Sequence, residues 1–124
     1  MKKIFLIIFV MLFFGSCTYK YNIKESGVII NPTDTVKFAT QVVPIFSDAT
    51  CISCHKSGST RPDLSASAAY SEITSMGLLN LTDPAQSKLY QHPLASTSTH
   101  SWKKYTDNQA AIILMWITQG AKNN

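Results

Sequence analysis

Two thiols and an imidazole fall within five residues, Cys51-Ile52-Ser53-Cys54-His55. Two cysteines three positions apart at the start of a helix can form thioethers with both vinyl groups on one edge of a haem. The next residue, His55, then lies under the ring and can offer its imidazole to the iron. The spacing C-x-x-C-H therefore reads as a covalent c-type haem attachment site. Two other chemistries use the same residue types. One is a thioredoxin-like redox pair, which wants a βαβ setting. The other is a metal site built with His55, which wants a second pair of ligands. The sequence offers neither setting.

The third cysteine has a different context. Lys2 and Lys3 precede an unbroken apolar run, Ile4 to Phe14, which is too short to span a bilayer at roughly 20 residues. Gly15-Ser16-Cys17 follows at once. This is the layout of an export signal ending in a lipobox, with Phe14 where Leu is usual. Residues 1–16 are expected to be a lipoprotein signal peptide and Cys17 the lipidated residue. Lipid on Cys17 and haem on Cys51 and Cys54 use all three cysteines, whereas a disulfide reading strands one in an oxidising compartment. Export also suits the haem reading, because bacteria attach c-type haem outside the cytoplasm.

Composition bounds the remaining possibilities. The 124 residues suffice for one domain. Eleven basic and seven acidic side chains give +4, and loss of Lys2 and Lys3 leaves nine against seven, or +2. No basic cluster interleaves with aromatics, so no nucleic-acid partner is expected. Ser, His and Asp occur without a nucleophile motif, and no enzymatic activity is expected.

Several elements must position the motif. Residues 17–37 are polar, with Asn, Ser, Gly, Pro and Asp, and read as a flexible tether. The folded domain is expected over 38–124. Phe38, Val42, Ile45 and Phe46 share one helical face, with Pro44 either kinking the helix or forcing it to restart. Residues 56–63 form a loop by composition, in which Arg61 is either solvated or near a haem propionate. Ser65 to Met76 reads as a helix capped by Ser65 or Ser67, with Ala66, Ala69, Tyr70 and Ile73 inward and Gly77 as its stop. Pro84 to Gln91 reads as a short helix capped by Asp83. Residues 94–105 are a Ser/Thr-rich loop. Thr106-Asp107-Asn108-Gln109 is a capping box opening the last helix, with Ile112, Ile113, Trp116 and Ile117 buried. The class is all-α, with three to four short helices around one flat apolar group. A core this small gains from a covalently held group.

With these residues placed, the domain resembles small class I cytochrome c domains, of the type found in Bacteroidetes lipoproteins and planctomycete-like cytochromes. The matching stretches are Val43-Pro44-Ile45-Phe46, Cys51-Ile52-Ser53-Cys54-His55, Pro62-Asp63-Leu64, Ser87-Lys88-Leu89-Tyr90 and Trp116-Ile117-Thr118-Gln119-Gly120-Ala121. The resemblance implies a cytochrome c-like fold, in which a C-terminal helix crosses one that precedes the haem site. It also implies a Met as sixth iron ligand, some 16–18 residues before the last-helix Trp. His100 stands 16 residues before Trp116, where that Met is expected, and no Met-Pro occurs. His55 and His100 are thus the expected iron ligands. Met76, His92 and an open sixth position are the alternatives. A His in place of Met lowers the reduction potential, since thioether ligation favours ferrous iron. Phe38, Phe46, Tyr70, Tyr90, Trp102 and Trp116 are candidates for the haem pocket. Trp102 and Tyr105 flank His100 and could cover the haem edge. Leu114 and Met115, off the main stripe, could form an apolar docking patch.

The expected function is one-electron transfer by one covalent haem c, in a domain anchored to a membrane through lipid and serving redox partner proteins. An open sixth position would instead suit a small-ligand sensor or weak peroxidase. The expected location is the bacterial cell envelope, facing the periplasm. The absence of Asp after Cys17 favours the outer membrane.

Overall fold

The computed structural model describes residues 33–100 and 104–124. Among them there are helices and turns and no strand, so the all-α class stands as expected. The longest helix has 12 residues, and among the described residues no helix is long and apolar enough to cross a membrane.

Phe38–Val42 forms one π-helical turn and runs into α1, Val43–Asp48. Pro44 lies in the first turn of α1, where its missing N–H removes no helical bond. Val42 and Val43 both stay helical, so the chain passes from the wide π turn into α1 without leaving the helix. Phe38, Val42, Ile45 and Phe46 are all buried, as their spacing predicts. Packing already includes Val36. Its N–H donates to Gln119 Oε1 at 2.8 Å, while Gln119 Nε2 donates to the Asp34 carbonyl.

The Cys51–His55 motif does not begin an α-helix. Cys51–Ser53 is a single 3-10 turn, entered through Thr50 at φ 56°. A left-handed β-branched residue ends α1 abruptly and reverses the chain into the motif.

α2 is Ala69–Ser75, shorter than the 65–76 span expected. Neither Ser65 nor Ser67 caps it. The Ser65 N–H instead donates to Asp63 Oδ1 at 2.9 Å, and residues 65–68 wind as turns that leave Ala66 exposed. Gly77, at φ 61°, follows as the expected stop.

The expected helix 84–91 is two pieces. Pro84–Gln86 is a 3-10 turn and α3 is Lys88–Gln91, separated by Ser87 at ψ 129°. Ser87 is buried and its Oγ accepts from the Asn80 N–H at 2.9 Å. That tertiary bond takes the hydroxyl that would otherwise cap α3, and Asp83 makes no side-chain cap.

α4, Asp107–Thr118, carries the full capping box: Thr106 Oγ1 accepts from Gln109 N–H, and Gln109 Oε1 accepts from Thr106 N–H. Its buried residues include Ile112, Ile113, Trp116 and Ile117. Leu114 and Met115 are half-buried, and Met115 packs on the core. Phe38 meets Trp116 with ring centres 5.0 Å apart and meets Tyr70 edge-on at 5.3 Å. These three rings tie the π turn, α2 and α4 together. Tyr70 donates to the Ala121 carbonyl and Trp116 Nε1 to the Lys122 carbonyl, so their polar ends are satisfied inside the core.

Candidate functional site

Two residues of the motif, Cys51 and His55, open onto a cleft of about 240 Å³. Its walls are mostly apolar: Leu64, Leu78, Leu89, Pro62 and Pro93. Cys51, His55, His100 and Tyr105 also line it. Residues nearly fifty positions apart in sequence thus share one cavity.

His55 is fixed first by its backbone. Its N–H donates to the Cys51 carbonyl at 2.9 Å, and its own carbonyl accepts from Leu64 N–H at 2.9 Å. The Cys54 carbonyl accepts from Thr60 N–H, closing the intervening loop. His55 Nδ1 then stands 3.1 Å from the Pro62 carbonyl. A carbonyl only accepts, so Nδ1 carries the proton and Nε2 keeps its lone pair. This is the arrangement by which a ligating histidine is oriented and made more basic.

His100 faces His55 across the cleft. Their ring centres are 6.1 Å apart, with planes inclined by 28°. Two imidazoles bound on opposite sides of one metal ion, at about 2.0–2.1 Å each, place their ring centres roughly 6 Å apart. His100 Nδ1 is buried without a hydrogen-bond partner. A buried ring nitrogen without a partner is costly unless a ligand takes that atom.

The loop bearing His100 is laced to its surroundings. Thr99 Oγ1 donates to the His92 carbonyl, Lys104 Nζ to the Thr97 carbonyl at 2.7 Å, and Tyr105 N–H to the Pro93 carbonyl. Tyr105 is buried, and its hydroxyl donates to the Leu89 carbonyl at 3.1 Å. Burial raises its phenol far above the ordinary range, and Cys51 adds to the shift. The hydroxyl therefore stays a donor.

Met76 and His92 line the same cleft, both as exposed residues. Cys51 is buried in the wall, while Cys54 is exposed and outside the lining, its Sγ 3.8 Å from Ser53 Oγ. The 3-10 turn repeats every three residues, which is the spacing of the two cysteines. Cys17 and Trp102 lie outside the described residues. Of the other aromatics expected near the cofactor, Phe38, Phe46, Tyr70, Tyr90 and Trp116 do not line the cleft. Tyr105 is the aromatic that does. Phe38, Tyr70 and Trp116 are engaged with one another instead.

Arg61 lines the cleft and is exposed, and its guanidinium is engaged by a carboxylate. It makes a paired contact with Glu72, Nε to Oε2 at 2.9 Å and Nη2 to Oε1 at 2.8 Å. The Arg61 guanidinium holds the Glu72 carboxyl below its usual range. Glu72 and the Pro62 carbonyl carry no signal in the sequence. No spacing rule links a loop arginine to a glutamate eleven residues later, and a backbone carbonyl has no residue type to read.

Among the described residues no group of three or more His, Cys, Asp or Glu stands close enough to hold a bare metal ion. Comparison with family models, with curated proteins and with solved structures finds no match to this chain.

Proposed function

We propose that this chain is a lipid-anchored c-type cytochrome that transfers single electrons. One observation carries the reading. His55, with Nε2 left free by the Pro62 carbonyl, stands 6.1 Å from half-buried His100, whose Nδ1 is buried without a hydrogen-bond partner, beside Cys51 in one apolar cleft. Two imidazoles supply two opposite metal positions, and a macrocycle would supply the others. Haem c, bound through Cys51 and Cys54, provides a ferrous/ferric couple. The protein's own residues do the rest. His55 and His100 would hold the iron, with Met76 and His92 as neighbours on the same cleft. Leu64, Leu78 and Leu89 would give the group an apolar, water-poor surrounding. The proposed fold is cytochrome c-like, with the Phe38–Val42 turn and α4 meeting through Phe38 and Trp116.

Cys17 carries the lipid in this proposal. A flexible tether over 17–37 would reach roughly 25 Å on average, at 5–6 Å times the square root of length. That span suits electron exchange with redox partner proteins along one membrane surface. The proposed location is the periplasmic side of the cell envelope, with the outer membrane favoured.

The test is direct. The full chain, produced with c-type maturation machinery, should keep a haem stain on a denaturing gel and lose it in the Cys51→Ala, Cys54→Ala double variant. It should fractionate with membranes, and Cys17→Ser should release it. Its absorption spectrum should be six-coordinate and low-spin in both redox states. A five-coordinate spectrum would favour the sensor or peroxidase alternative, and an unstained wild-type chain would end the haem reading.

A further inference from the structure

The loop that orients His55 is itself held by a carboxylate on α2. Glu72, on α2, receives three hydrogen bonds from it. Two come from Arg61, and the third comes from Asp63 N–H to Oε2 at 3.3 Å. The residue between those donors is Pro62, whose carbonyl meets His55 Nδ1. This is the ion pair found among the described residues. The platform beneath it is firm, because Ala69 and Ile73 of α2 are fully buried. Glu72 does not line the cleft.

We propose that Glu72 is a positioning residue for His55. By clamping Arg61 and Asp63 it fixes the Pro62 carbonyl against the imidazole. It thereby sets the strength of that hydrogen bond and the donor power of Nε2 toward iron. The inference rests on the haem reading above. A well-made bond at Nδ1 enriches the ring in electron density and favours ferric iron, so loosening it raises the reduction potential.

An ordinary surface ion pair contributes little, and mutation alone would not separate the two roles. Charge makes the separation possible. Acting through space, loss of the Glu72 anion raises the potential and loss of the Arg61 cation lowers it. Acting through the clamp, both losses raise it. Losing such an outer hydrogen-bond partner at a histidine ligand costs about 10–100-fold in affinity or activity. The lower figure, expressed wholly in the ferric state, corresponds to about 59 mV for one electron.

The experiment is a potentiometric titration of the haem-loaded full chain, comparing wild type with Glu72→Ala, Glu72→Gln and Arg61→Ala. Proton NMR of the ferric proteins follows exchange of the His55 Nδ1 proton with solvent. The expected result is an upward shift and faster exchange in both alanine variants, with Glu72→Gln intermediate because its amide oxygen still accepts. A downward shift in Arg61→Ala, or unchanged potentials and exchange in all three, overturns the proposal. Arg61 has a 64% exposed side chain, so its truncation spares the core and decides the matter even where Glu72→Ala does not accumulate. A wild-type chain without covalent haem would instead sink the electron-transfer reading, and this inference with it. Normal haem with unmoved potentials sinks the inference alone.

Discussion

Replacing His100 by alanine separates a ligand from a packing residue. The ring is half-buried, and its Nδ1 has no partner. Leaving a buried polar group unpaired costs about 1–3 kcal/mol, and the substitution removes that cost. It also removes apolar contact. Truncating a fully buried large side chain costs about 2–5 kcal/mol, and a half-buried ring at a cleft mouth loses less. The two effects oppose each other and leave a fold penalty of about 1 kcal/mol or less. For a domain of this size that is a melting shift of about 4–8 °C at most. The iron environment changes far more, because one of two nitrogen ligands disappears. The assay is the ferric absorption spectrum of the haem-loaded chain, with added imidazole as rescue. His100→Ala should turn high-spin or water-ligated, and imidazole should restore the low-spin form. A spectrum and potential equal to wild type would refute His100 ligation and move attention to Met76 or His92. Measured on the chain without haem, a melting loss much beyond the stated range would show that His100 serves the fold.

Two further outcomes follow from groups near the cleft. Tyr105→Phe leaves the Leu89 carbonyl without its buried donor, so it should cost about 1–3 kcal/mol, or roughly 4–8 °C per kcal/mol, in thermal denaturation. A melting point equal to wild type would mean that water replaces the hydroxyl. Acid should also weaken the fold in a definite window. Glu72, held down by Arg61, and Asp63, held down by Ser65, both have folded values below their ordinary 4.5 and 3.8. Groups depressed in this way stabilise the folded state fully above those ordinary values, and the benefit fades as pH falls through the folded ones. Denaturant midpoints should therefore be flat near neutrality and fall below about pH 4, less steeply in Glu72→Gln. Equal slopes in the two proteins would rule out the Glu72 contribution.

The sequence by itself determined the parts that local chemistry encodes. The capping box at Thr106 and Gln109, the stripe of Ile112, Ile113, Trp116 and Ile117, and the buried face of Phe38, Val42, Ile45 and Phe46 depend on spacing along one helix. The C-x-x-C-H pattern is local in the same sense, and so was legible before any fold. Helix lengths were less so. Ser87 interrupts the expected 84–91 helix, its hydroxyl serving Asn80, and the helix expected from Ser65 begins only at Ala69. The Ser87 bond competes with capping, and the position of Asn80 decides the competition.

Tertiary structure decided which of the candidates stand around His55. It brought His100, singled out by its spacing from Trp116, to 6.1 Å, kept Tyr105 in the cleft wall while Phe38 and Tyr70 pack with Trp116, and seated Arg61 on Glu72. It also supplied the Pro62 carbonyl that selects the His55 tautomer. The physical reason is common to all of these. Each contact joins loops or helices whose separation is set by core packing, and a backbone carbonyl presents the same chemistry at every residue. The side-chain alphabet can announce a ligand, but the partner that orients it becomes visible only when the chain has closed around the site.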